Sequence, residues 1–257
     1  LPSCAAMCRH VMHRAHAVHP PQAGGTEKAA DFLREHYATA LPLLGGVEAA
    51  AAQLANNSKG ILGTVRTKQW AVDGKVVLLG DAAHAIVPFF GQGMNSGFED
   101  TRDLVRLLDE HAPASGGKRD YAAAFSAFEA ERRPNADAIA DMALENYTEM
   151  QASTADALFR LAKATENALE NSKLGSRFRS RYAMVCYGGA GNVTYSAAQK
   201  LGRVQWEIVR ELAAGVSSVD AAAEELDLAR AEALLDQKLA PLQAELGVDL
   251  STVSHGG

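Results

Sequence analysis

Cysteine is scarce in this sequence, cationic residues are in deficit and long apolar runs are missing, and each shortage removes a class of protein. Cys4, Cys8 and Cys186 are an odd set whose spacing suits neither a disulfide framework nor a four-ligand zinc site. With 25 Lys and Arg against 31 Asp and Glu, the formal net charge is -6, and there is no cationic footprint for nucleic acid. No stretch approaches the roughly 20 uninterrupted apolar residues of a membrane-spanning helix. The chain starts at Leu1 rather than Met, which reads as a fragment, a processed product or a truncated gene model. What is present suits a globular fold: 257 residues, 47% hydrophobic and 22% charged, enough for a sizeable core.

Residues 1–24 stand apart. His10, His13, His16 and His19 recur every three residues behind Cys4 and Cys8. On a helix they would form one drifting stripe that a transition metal could use. No acidic partner lies nearby to orient the rings, and the segment is read as an unordered terminus that holds no metal. Three further segments follow, 25–112, 113–214 and a low-complexity helical tail, 215–257. Helices are predicted over Glu27–Tyr37 and Val47–Leu54, with extended chain over Ile61–Trp70. Asp73-Gly74 signals a turn into Lys75–Leu79, a short apolar run that suits a strand buried on both faces. From Met94 the pattern is helical: Met94–Glu110, Asp120–Arg132, Pro134 to about Asn171, Ser176–Cys186, Tyr195–Ala213 and Val219–Leu246.

The segment richest in chemistry is GDAAHAIVPFFGQGMNSGFED, Gly80 to Asp100. Gly80 permits a tight exit from the apolar run, and Asp81 puts a carboxylate just beyond the strand's C-terminal end, where ligands of α/β sheets bind. It could accept hydrogen bonds from ligand hydroxyls. Pro88, Phe89 and Phe90 can pack on a flat ring, and Gly91 and Gly93 let backbone approach closely. A helix opening at Met94 or Asn95 turns its unpaired N–H groups and positive dipole end toward that loop, which would stabilise an anionic group. The bland alternative is a strand-turn-helix connection in which Asp81 caps backbone amides and the two Phe fill a core. G-Q-G-M-N-S-G is not the dinucleotide fingerprint G-x-G-x-x-G.

Taken whole, the segment resembles the second flavin-binding motif of the FAD-dependent aromatic hydroxylases, the family built on the para-hydroxybenzoate hydroxylase fold. The resemblance implies an α/β (α+β) fold of that type, truncated here to a mostly helical portion with a few strands. Residues 25–112 would hold the end of the substrate-domain sheet and the flavin motif, and 113–214 a helical domain lining the substrate site. It implies that Asp81 bonds the ribityl chain, that Gly93 and the backbone of Met94 and Asn95 face the flavin pyrimidine edge, and that Pro88 and Phe89 lie over the ring. The two Phe before G-Q-G, GFED at Gly97–Asp100, ENYTEM at Glu145–Met150 and RYAMV at Arg181–Val185 are especially close to the kynurenine-hydroxylating members. That likeness runs from about Thr26 to Leu212, leaving Leu1–His19 and the tail after Gly215 unmatched.

Two residues are candidates for substrate binding. Asn146 shares a helical face with Ile139, Met142 and Met150, so an amide sits where burial is expected and must find partners. Tyr182 shares a predicted face with Phe178 and Val185. Pattern alone favours an amide satisfied by backbone and an amphipathic core Tyr. The resemblance assigns both, with Phe89 beside the ring, to L-kynurenine. It further implies FAD, NADPH as co-substrate and O2, with no catalytic protein nucleophile. His84, the loop Gly188–Gly191 and the basic run Arg177, Arg179, Arg181, taken as a solvated helical face, are read as structural.

The family's adenosine-binding fingerprint, its pyridine-nucleotide motif and its upstream carboxylate-binding Arg do not occur here. This stretch alone is therefore expected to hold flavin weakly and to be inactive. A catalytically inactive remnant or packing module, or a hydroxylase for another aromatic acid, stay open beside the kynurenine reading. So does location, cytoplasmic or at the mitochondrial outer membrane, with membrane attachment of a longer protein undecided.

Overall fold

The computed structural model describes residues 12–13, 25–57, 60, 62–113, 118–152, 156–188 and 193–253. The His stripe read from the sequence therefore falls outside the described residues, apart from the extended backbone of β1 (Met12–His13). The described elements are mostly helical with two-residue strands. They fall into two compact units that divide at Gly63–Thr64, a different partition from the boundaries read off the sequence. The smaller unit, His13–Gly63, contains α1 (Gly25–His36), a 3-10 turn over Leu41–Leu44 and α2 (Val47–Asn56). Its core is Ala29, Ala30, Leu33 and Ala51, with Leu41, Val47, Ala50 and Leu54 packed around them. Small residues on the facing sides let α1 and α2 pack as a helical hairpin.

In the larger unit the chain runs through β2 (Thr64–Val65), β3 (Ala71–Val72) and β4 (Val76–Val77) into the short helix α3 (Asp81–His84) and a 3-10 turn, Pro88–Phe90. Then come α4 (Gly93–Glu110), α5 (Tyr121–Ala152), α6 (Ala157–Glu170), α7 (Arg181–Tyr187) and α8 (Tyr195–Ala213). The tail adds α9 (Ala222–Glu225), α10 (Leu228–Leu234), a π-helical turn over Leu235–Leu239, α11 (Ala240–Leu246) and a 3-10 turn, Leu250–Thr252. The hairpin β3–β4 pairs antiparallel, Ala71 with Val77 and Val72 with Val76, around Asp73 and Gly74, both at positive φ. Gly74 is required twice, because a Cβ there would also lie 2.8 Å from the Ala122 backbone nitrogen.

The central element is α5. Phe128, Ala136, Ile139, Met142 and Ala143 are fully buried, and α4 and α8 pack along it. Trp70, Ala83, Leu107, Phe128 and Ala136 form one core cluster joining the hairpin, α3, α4 and α5. The tail packs on α8 instead: Ala231, Leu235, Leu239 and Leu250 are buried, and α8 packs against the π turn.

Four sequence expectations need correction. The helix break at Pro134 does not occur. Pro134 and Ala130 are both exposed, so the hydrogen bond that proline removes is lost on the solvent side. Arg132 and Arg133 are also anchored just before it, the latter by the Lys68 carbonyl at 2.6 Å and by Glu129. The actual break precedes Ala157, where the Asp156 side chain caps the Leu158 amide. Lys75–Leu79 is not buried on both faces: only Val76–Val77 is strand, paired on one side, and Val76 and Leu79 are exposed. The Ser176–Cys186 helix starts only at Arg181, because turns run from Asn171 to Arg177 and Ser180 caps the Ala183 amide. Consequently Arg177, Arg179 and Arg181 are not a solvated helical run. Arg177 pairs with Glu232 and Asp236, Arg181 with Glu145, and buried Arg179 donates to the carbonyls of Val253 and Gly175.

Candidate functional site

The loop from Gly80 to Gln92 is held from below by a buried charge network. Gly80 has φ 57 and ψ -143, a conformation that suits glycine alone, and α3 starts at the next residue. Its N–H donates to Asp100 Oδ2 at 2.8 Å, and the same oxygen meets His84 Nε2. Arg132 Nε reaches Asp100 Oδ1 at 2.8 Å, and Nη1 reaches Glu99 at 2.7 Å and Asp103 at 3.5 Å. Asp100 is fully buried and Arg132 only 3% exposed. Burial opposes ionisation of Asp100, but hydrogen bonds from His84, Gly80 and Arg132 outweigh it and hold the carboxyl below its ordinary value. His84 is stacked on Trp70, ring centroids 5.0 Å apart, which ties this polar cluster to the core. The Val65 and Thr67 amides donate to the Ala85 and Ala83 carbonyls, so the extended segment 64–67 braces α3 from its other side.

Above this base lie the residues picked from the motif. Asp81 is exposed, and its carboxylate has no partner among the described residues. Pro88 is exposed at the start of its 3-10 turn, Phe89 is half-buried and Phe90 is buried. Gly91 closes the turn at φ 68, its amide donating to the Pro88 carbonyl. Gln92, the N-cap of α4, makes no cap hydrogen bond: its Oε1 accepts from Asn95 Nδ2 at 2.9 Å and from the Tyr195 hydroxyl at 3.3 Å. The first-turn amides of Gly93, Met94 and Asn95 are thus left without a side-chain cap at the positive end of an 18-residue helix. Met94 and Phe98, 71% and 65% exposed, present apolar surface one turn apart on that helix.

The two helical candidates meet this loop from α5 and α7. Asn146 Nδ2 donates to the Phe89 carbonyl at 2.7 Å and reaches the Met150 sulfur at 3.8 Å. Its neighbour Tyr147 packs on the Phe89 ring, centroids 4.4 Å apart. Tyr182 stacks on Phe90 at 5.8 Å, and the Cys186 thiol one turn on raises the phenol above its usual range. It is 59% exposed and does not share a helical face with Phe178, which precedes the helix and is fully buried. Met150 is exposed as well, so the face carrying Asn146 is buried only toward its N-terminal end. The fold therefore gathers Pro88, Phe89, Asn146 and Tyr182 around one turn, with Gly93, Met94 and Asn95 at its far end. A cleft of about 290 Å³ beside it is lined by Gln92, Asn95, Phe98, Val185, Cys186 and Tyr195.

The sequence reading missed the fastening of this cluster. Gln92 links α4 to α8 through Tyr195 and to Cys186 of α7, and the quartet Glu99, Asp100, Asp103 and Arg132 joins α4 to α5. Three acidic residues within two turns of one helix, Glu99, Asp100 and Asp103, were the available signal.

An FAD binding domain family model matches residues 5–143, more than half of the chain, and the chain belongs to that family. The match starts at residue 5, so it takes in most of the segment set apart as unmatched. Curated relatives reach further along the chain. The kynurenine 3-monooxygenase of Myxococcus xanthus is 44% identical over 186 residues, 72% of this chain and 37% of the relative. That of Xanthomonas campestris pv. campestris is 38% identical over 219 residues, 85% of this chain and 44% of its own length. That of Dictyostelium discoideum is 36% identical, covering 83% and 46%. The chain thus spans less than half the length of these relatives.

Proposed function

We propose that this chain supplies the isoalloxazine-facing and substrate-facing part of an FAD-dependent monooxygenase of the para-hydroxybenzoate hydroxylase type, acting on L-kynurenine with NADPH and O2. The observation that carries this reading is the side-chain-uncapped first turn of α4 at Gly93, Met94 and Asn95, which follows the Pro88–Phe90 turn; Asn146 is satisfied by the Phe89 backbone carbonyl, as pattern alone favours, and that bond places it against the same turn. The donor set fits the cofactor. An Asp81 that is exposed and without a partner among the described residues suits ligand hydroxyls, and side-chain-uncapped amides of Gly93, Met94 and Asn95 suit an electron-rich ring edge. No side chain would crowd a ligand at Gly80 or Gly91, since a Cβ at either meets nothing within 4 Å.

Bound FAD supplies the redox chemistry that activates O2 and places one oxygen atom on the aromatic ring. The residues of this chain bind and orient. Asp81 would hold the ribityl hydroxyls, and the α4 N-terminus would stabilise negative charge at the ring edge. Pro88 and Phe89 would exclude water from one face, while Asn146 and Tyr182 would hold the amino-acid end of kynurenine and fix its ring. None of these roles needs a protein nucleophile.

The test is a hybrid enzyme in which this chain's residues replace the matched 186-residue stretch of the Myxococcus xanthus relative. Formation of 3-hydroxykynurenine supports the reading. A folded, flavin-loaded hybrid without product contradicts it and favours a packing module.

A further inference from the structure

Resting on that reading, one question is what fixes Tyr182 opposite Asn146. Tyr182 belongs to α7, a seven-residue helix too short to hold itself in place without tertiary contacts. Its first residue, Arg181, directly precedes Tyr182, just as Glu145 directly precedes Asn146. These two preceding residues form an ion pair: Arg181 Nη1 meets Glu145 Oε2, and Nη2 lies 3.7 Å from Glu149. Adjacent helical residues project about 100° apart. The pair therefore sits behind the substrate cluster and leaves Asn146 and Tyr182 at the Phe89–Phe90 turn.

The arginine stem has its own seat. A Cβ on Gly202 of α8 would lie 2.9 to 3.0 Å from Arg181 Cβ, Cγ and Cδ, so only glycine lets the stem cross that helix. Arg203, the next residue of α8, reaches the other oxygen of Glu145 at 3.7 Å. Lys163 of α6 holds Glu149 at 3.4 Å and Glu166 at 2.8 Å, and lies 5.1 Å from the centroid of the Trp206 ring. Four helices thus converge on one charge cluster.

We infer that the Arg181–Glu145 ion pair, seated on Gly202, is the positioning device that sets Tyr182 relative to Asn146. Arg181 and Glu145 are positioning residues: they pair with each other and with Glu149 and Arg203, and both act through the residue that follows them. Cys186 reports the result, since its thiol lies on α7 and takes contacts from Tyr182 and, at 3.7 Å, from Gln92 Nε2.

The experiment uses the 257-residue chain with Cys4 and Cys8 replaced by Ser, and follows Cys186 labelling by a disulfide reagent alongside amide exchange of α7. Glu145→Gln and Arg181→Gln should each speed labelling about fivefold, the weight of a partly exposed pair. Gly202→Ala should do so by at least as much. Arg181→Lys should restore most of the protection, and the charge-reversed double variant Glu145→Arg, Arg181→Glu should label more slowly than either of its parents. Labelling at the wild-type rate in both Gln variants, with circular dichroism unchanged, overturns the inference. So does a double variant whose effects simply add. Neither readout needs flavin or kynurenine, so an inactive hybrid enzyme would refute the functional reading and leave the clamp standing, while unchanged labelling would refute only the clamp.

Discussion

Asp100→Asn tests the base of the site. The carboxylate is fully buried and accepts from Gly80, from His84 and from an Arg132 that is itself 3% exposed. Replacing it with an amide removes the charge while preserving size. An Nδ2 donor is then forced to face Arg132 or the Gly80 amide. Breaking a buried pair from one side costs about 3 to 5 kcal/mol. Arg132 retains Glu99 and Asp103, so the lower end, about 3 kcal/mol, is expected, equivalent to a Tm drop of about 6 to 12 °C in a unit of this size. The sign with pH follows from the depressed pKa. The native carboxyl titrates below the ordinary 3.8, so its stabilisation is complete above that value and is lost as pH falls through the native pKa. Urea denaturation of wild type and variant should therefore show a gap that is full at pH 7 and closes below about pH 4. A gap under about 1 kcal/mol at pH 7, or one that widens in acid, would refute the network's role.

Gly74→Ala should destabilise by at least about 1 to 2 kcal/mol, read from the urea midpoint, because φ 62 is unfavourable for a Cβ that would also strike Ala122. Asp81→Ala should leave stability within about 0.5 kcal/mol, since the side chain is exposed, yet lower FAD retention in the hybrid enzyme after dialysis. Asn146→Ala should cost about 1 kcal/mol through the lost Phe89 bond and cut kcat/KM for kynurenine roughly 10-fold or more at normal flavin content.

Long periodic helices were legible because their apolar spacing is local information: Tyr195–Ala213 appears with its read boundaries, and Met94–Glu110 shifts by one residue. Pro134 misled because the sequence does not say which side of a helix will face water. The start of α7 was misread because the run from Asn171 to Ser180 is fixed by long-range partners, such as Glu170 for the Ser180 amide and Val253 for Arg179. The turn at Pro88–Gly91 and the helix that follows it were readable from Pro88, the glycines and the apolar spacing beyond them. The turn's attachment to Asn146, Tyr147 and Tyr182 was not, since those contacts join residues 57 to 92 positions apart and depend on how α5 and α7 pack.

Asn146 and Tyr182, gathered at the Phe89–Phe90 turn, are proposed to hold kynurenine against a flavin seated on the α4 N-terminus. The most direct measurement is the rate of 3-hydroxykynurenine formation, per NADPH consumed, by the hybrid enzyme and its Tyr182→Phe form. Coupled product formation is expected in the parent, with kcat/KM for kynurenine reduced about 10-fold and peroxide release increased in Tyr182→Phe, while FAD content is unchanged. A folded, flavin-containing hybrid that oxidises NADPH without making product, or a Tyr182→Phe form within about twofold of its parent, would contradict that role.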